Sequence, residues 1–123
     1  MRIETPARLP ACAGKWHPEE RLWLQQFLEA IAADYRDAVK KVVLYGSKAR
    51  GDWHDESDID VLVIVRNEEA GTRKTLQRRG QELAVTSYAV PGILILTDER
   101  WQRLEKSGAG LTKAIAREGI NLL

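Results

Sequence analysis

Apolar residues repeat at two different periods along this chain. Between Pro18 and about Asp37, the residues Leu24, Phe27, Leu28, Ile31 and Tyr35 recur at three- and four-residue steps. That is the stripe an amphipathic helix turns toward a core, and Pro18 suits the first helical turn, where its missing N–H has no partner to lose. Lys41 to Tyr45 (KVVLY) is a short β-branched run stopping at Gly46, and Ile59 to Val65 (IDVLVIV) is a longer one after a polar stretch. Both read as buried strands. Helical composition returns from Glu68 to about Tyr88, rich in charge and carrying Gly80 near its middle, and Gly92 to Thr97 (GILILT) reads as a third strand between Pro91 and an acidic turn. Asp98 to Lys106 and Leu111 to Arg117 read as two short helices, with Trp101 and Leu104, three apart, as core contacts. The order helix, strand, strand, helix, strand, helix, helix predicts an α/β (α+β) fold in which a small mixed sheet of at least three strands is flanked by helices. Residues 1 to 15 hold Pro6, Pro10 and Gly14 and no sustained period. They are expected to form a loose arm or short edge strand ahead of a single domain spanning residues 16 to 123.

Length and composition narrow the function classes. With 123 residues, 44% hydrophobic and 30% charged, the chain has material for one core and little for a separate substrate domain. An elaborate site would have to be completed by a partner protein or a second copy of the chain. A formal net charge of +1 lacks the basic excess of proteins held on nucleic acid through phosphates, so nucleic acid is not the expected partner. Cys12 is the one cysteine and has no internal disulfide partner, and no Cys/His spacing suits zinc. The apolar runs Val61 to Val65 and Ile93 to Leu96 are too short to cross a bilayer, and the first fifteen residues contain no apolar signal segment. A cytoplasmic protein with no membrane association is expected.

Candidate chemistry sits at the ends of the first two strands. Side chains two apart in a strand share a face, roughly 6.5 Å apart along the chain, so Asp58 and Asp60 point one way and Ile59 the other. Two like charges at the mouth of an apolar strand raise their own pKa values unless a cation neutralises them. Mg²⁺, which prefers carboxylate and phosphate oxygens, fits that need and points to a substrate with phosphates. Gly46 and Ser47 close the first strand, where a sharp turn presents backbone N–H groups to an anion. For that turn to meet the Asp pair, the two strands must run antiparallel.

The stretch YGSKARGDWHDESDIDVLV, residues 45 to 63, resembles the signature of minimal nucleotidyltransferases in the DNA polymerase β superfamily: strand, Gly-Ser, ten intervening residues, Asp-x-Asp, apolar strand. The C-terminal AREGINLL is similar to the close of these small domains. The resemblance implies that Mg²⁺ and ATP, or another nucleoside triphosphate, bind here, and that AMP passes to an acceptor hydroxyl with loss of pyrophosphate. It implies Asp58 and Asp60 as catalytic metal ligands and Gly46 and Ser47 as nucleotide-binding residues. Lys48 and Arg50 are added as phosphate-binding cations, with a solvated surface role as the equal alternative. Similar domains often pair with a helical HEPN-type toxin subunit as its antitoxin, by modifying it or by contact, so a HEPN-type protein is an expected partner. Active relatives add a third carboxylate from the next long strand, and PGILILT contains none; a module that binds nucleotide and partner with weak or no turnover therefore stands beside the transferase. Asp98 and Glu82 read as a helix start and a helix surface. His54 reads as a solvated loop residue, and Trp53 either stacks on a base or packs under the loop. Arg73, Lys74, Arg78 and Arg79 read as an exposed helix face, with an anion or an acidic partner as the functional alternative.

Overall fold

The computed structural model describes residues 9–51, 58–67 and 71–123. A 3-10 turn, Ala11–Lys15, leads to helix α1 (Pro18–Asp34), strand β1 (Val39–Tyr45) and a single helical turn α2 (Ser47–Arg50). Strand β2 (Ile59–Val65), helix α3 (Thr72–Ser87) and strand β3 (Pro91–Thr97) follow, then helices α4 (Asp98–Lys106) and α5 (Gly110–Glu118) and the two-residue strand β4 (Ile120–Asn121). The predicted mixed α/β architecture is present as a four-stranded sheet in the order β3-β2-β1-β4. β1 runs antiparallel to β2 and to β4, while β2 and β3, joined through α3, run parallel.

β2 is apolar throughout except at Asp60 because both faces of the sheet are covered. Its Ile59, Val61, Val63 and Val65 join Trp23, Phe27 and Leu28 of α1 and Leu76 of α3 in the larger core. Its Leu62 and Ile64 join Val43, Leu96, Trp101 and Ile115 in a second core under α4 and α5. The alternation of strand side chains thus assigns Asp60 to the α4/α5 face, at the starting end of β2. Trp101 and Leu104 pack as the sequence indicates.

Gly80 lets α3 lie close on α1 and β3. A Cβ there would stand 2.5 Å from Ile93 Cδ1 and 3.2 Å from Phe27 Cε1, and its carbonyl accepts a 2.9 Å hydrogen bond from buried Trp23 Nε1. A mid-helix glycine, locally unfavourable, is explained by this approach.

Two expectations are corrected. Residues 11–15 are a 3-10 turn rather than a loose arm or edge strand, because Ala13 and Trp16, 2% and 4% exposed, anchor the segment in the core; residues 1–8 of the expected arm lie outside the described residues. The first helix ends at Asp34 rather than Asp37, and Tyr35 leaves helical geometry to start the turn into β1. Helix α3 runs from Thr72, after Gly71 with φ +67°; its expected start at Glu68 lies outside the described residues. No helix among the described residues is long and apolar enough to cross a membrane.

Candidate active site

The antiparallel pairing of β1 and β2 brings Tyr45 opposite Asp60, so the turn that leaves β1 lies beside the start of β2. Gly46, at φ +79° and ψ −162°, occupies backbone space open essentially to glycine alone. A second constraint acts there: a Cβ on Gly46 would stand 2.6 Å from Asp60 Oδ2. Ser47 then begins α2, and the Gly46 carbonyl accepts from the N–H groups of Ala49 and Arg50 at 3.1 Å each. The first N–H groups of such a turn have no partner within the helix.

On the other side of Asp60 stands Gly92, its partner in the parallel β2–β3 register. A Cβ on Gly92 would lie 2.8 Å from Asp60 Oδ1. The Asp60 carboxyl group is therefore held in a slot between two glycines, Gly46 in the turn just after β1 and Gly92 within β3. Burial in that slot raises its pKa above the ordinary carboxylate range, and the charge of Asp58 adds to the shift. The Tyr45 hydroxyl is pushed up as well, by burial first and by Asp60 second. Asp58 is exposed at the mouth of the strand. Two carboxylates on one strand face, one of them desolvated and held against its like-charged neighbour, form a donor set that suits a hard divalent cation.

Gly92 occupies the position on β3 that faces Asp60, and β3 supplies no carboxylate there. Among the described residues no cluster of three metal-ligating side chains exists. Asp98 begins α4 at the far end of β3, hydrogen-bonded to Lys40 Nζ at 2.9 Å, and Glu82 is exposed on α3.

The two cations expected beside the phosphates have protein partners. Lys48 is fully buried, with Nζ 3.0 Å from Glu20 Oε1 and 5.9 Å from the ring centroid of Trp16. Its ammonium is engaged by α1 rather than open to solvent. Arg50 binds Glu118 Oε1 at 3.0 Å, tying α2 to α5. Sequence reasoning missed Glu20, which lies 28 residues from Lys48 and has no local signature beyond a helix first turn. It also missed Gly92 as a wall of the site, since a glycine after proline reads only as a strand boundary. Trp53 and His54 lie outside the described residues.

Comparison with known proteins bears on this arrangement. The family model described as nucleotidyltransferase domain matches residues 24–109, more than half of the chain. The protein belongs to the nucleotidyltransferase domain family. Two curated relatives of this chain come from Methanocaldococcus jannaschii, and both are named putative protein adenylyltransferase. One is 46% identical over 41 residues, covering 33% of this chain and 41% of the relative. The other is 42% identical over 43 residues, covering 35% of this chain and 43% of the relative. The match thus spans less than half the length of either relative. A crystal structure of a putative nucleotidyltransferase from Sulfolobus solfataricus has the same fold, with a TM-score of 0.52 at 17% identity over 93% of this chain and 87% of that one.

Proposed function

We propose that this nucleotidyltransferase binds Mg·ATP at the Gly46–Ser47 turn and the Asp58/Asp60 pair, and transfers AMP to a hydroxyl on a partner protein. The observation that carries the reading is the slot in which Gly46 and Gly92 flank the Asp60 carboxyl group, in a chain of this family. Asp58 and Asp60 would hold the divalent ion, which when bound supplies charge neutralisation to the phosphates. Gly46 keeps the turn tight enough for backbone N–H groups and the Ser47 hydroxyl to contact the terminal phosphates. Lys48, through its pair with Glu20, fixes α2 against α1 and so positions that turn. In the transfer a bond forms between the acceptor oxygen and the α-phosphorus, the bond from that phosphorus to pyrophosphate breaks with its electron pair leaving on pyrophosphate, and the acceptor hydroxyl's proton passes to solvent.

The names of the two relatives favour a protein acceptor, and the family resemblance favours a helical HEPN-type toxin. A second reading has its own observation: Gly92 faces Asp60 and β3 supplies no carboxylate, which favours a module that binds nucleotide and partner without turnover. Incubation with ATP labelled at the α-phosphate, Mg²⁺ and the co-purified partner separates them. The transferase reading expects label on the partner that Asp60→Asn abolishes. A stable complex with no label at any enzyme concentration would leave the binding reading.

A further inference from the structure

Helix α3 returns toward the pole of the Asp pair, and the segment that joins it to β3 carries apolar side chains into solvent. Val85, Tyr88 and Val90 are 74%, 87% and 76% exposed. Among the described residues they are three of the four large hydrophobics so placed. Single exposed hydrophobics are ordinary on a protein surface, whereas a contiguous group marks a contact.

Strand register sets this group beside the candidate active site. In the parallel pairing of β2 with β3, Ile59 lies opposite Pro91 and Asp60 opposite Gly92. Val90 therefore enters β3 next to Asp58, one strand spacing away, roughly 4.8 Å. Ala89 and Ile95 belong to the larger core with α1 and α3. By strand alternation Val90 and Gly92 turn to the opposite face, the face to which Asp60 belongs. Val90 is thus an apolar step on the rim of the slot, beside the exposed Asp58, and Tyr88 stands just behind it in the chain.

The backbone at Tyr88 is a second and independent sign. Tyr88 ends α3 in the left-handed region, at φ 65° and ψ 23°. Among the described residues it is the one non-glycine with positive φ. Glycine is the usual residue at such a helix end, and a bulky side chain there is uncommon. Neither burial nor backbone preference accounts for a tyrosine at this position.

We propose that Tyr88 and Val90, with Val85 behind them, form the docking surface for the partner protein, seating an apolar side chain of the partner next to the hydroxyl that enters the site. The proposal rests on the transferase reading of the Asp58/Asp60 site and names the part of the acceptor that is recognised. The occupant follows from position. A chain covering Val90 lies within a strand spacing or two of Asp58, so its neighbouring hydroxyl comes to the place where the nucleotide would be held. Tyrosine suits the task, since its ring gives a large contact area with few rotatable bonds and is enriched among the residues that dominate interfaces.

The probe is a short fluorescein-tagged peptide with one tyrosine between leucine and valine, compared with the same peptide carrying glutamine in place of both. Anisotropy is read with the full chain, Mg²⁺ and an ATP analogue with a methylene between the α- and β-phosphorus, so that no transfer intervenes. Saturable binding of the apolar peptide is expected, on the order of tenfold tighter than the glutamine peptide. Tyr88→Gly with Val90→Ser should weaken it by about the same factor while Mg·ATP affinity is unchanged. The melting temperature should be retained or raised, because glycine suits the left-handed end of α3; a purely structural role for Tyr88 would lower it. With ATP labelled at the α-phosphate, the variant should show a raised KM for the apolar peptide with kcat retained. Selective binding without label supports the docking surface and sinks only the transferase reading, whereas label that does not depend on Tyr88 and Val90 does the reverse. Absence of saturable binding, equal affinity for the two peptides, unchanged binding by the variant, or a dimer in sedimentation that the same two substitutions dissolve overturns the proposal, the last marking a contact between copies of this chain.

Discussion

Asp60 concentrates the chemistry of this protein because the two residues flanking its carboxyl group have no side chain. The glycine at position 46 was readable from sequence as a turn, and Asp60 from the Asp-x-Asp spacing. That the two touch depends on strand register, which no local pattern states. Gly46→Ala adds a Cβ both to a positive-φ backbone and to a space 2.6 Å from Asp60 Oδ2. We expect it to cost about 1–3 kcal/mol in urea unfolding and to abolish metal-dependent nucleotide binding; unchanged stability would contradict the slot. The raised pKa of Asp60 has a definite sign for stability. The folded state holds that proton more tightly than the unfolded chain, so the contribution is full below the unfolded carboxylate pKa and is lost as pH rises through the folded value. In metal-free buffer, thermal melts of the wild type should therefore lose stability across that window, and Asp60→Asn should flatten the loss and melt higher than wild type at neutral pH. A variant that melts lower than wild type at neutral pH would show that burial and Asp58 do not strain this carboxyl group.

Legibility at the level of elements followed length and period. α1, β2 and β3 announce themselves through sustained apolar patterns. The 3-10 turn, α2 and β4 are too short to have a period, and each exists because of a contact made elsewhere: Ala13 and Trp16 in the core, Lys48 against Glu20, and Asn121 and Ile120 paired to Val43 and Leu44. The Lys48–Glu20 pair is the main polar tie between α2 and α1. Lys48 has no exposure and the Glu20 side chain 12%, so removing the carboxylate takes from a buried ammonium the ion pair that α1 supplies. Glu20→Gln retains an acceptor for the His17 N–H but should cost about 3 kcal/mol in chemical denaturation, the lower end of the range for a broken buried pair. The double variant Glu20→Gln, Lys48→Met should be more stable than the single one. A single variant within 0.5 kcal/mol of wild type, on the order of an exposed pair, would mean the contact is solvent-screened.

Over the whole molecule, the sheet order β3-β2-β1-β4 gives the two ends of β2 different characters. Its start gathers carboxylates and the Gly-Ser turn, and its end gathers arginines. The sequence indicated the first because one contiguous motif encodes it. The second was readable only in part, as a basic face on α3: Arg66, Arg73, Arg100 and Arg103 come from three separate stretches that only the parallel β2–β3 pairing unites. The missing third acid was legible, since β3 contains none, but its physical counterpart, Gly92 against Asp60, needed the register. The most direct test of the nucleotide site is calorimetric titration of ATP into the full chain with and without Mg²⁺, repeated on Asp60→Asn. The site described here predicts binding by wild type that requires Mg²⁺ and is lost in the variant. Binding that persists unchanged in Asp60→Asn, or no binding by wild type, would contradict it.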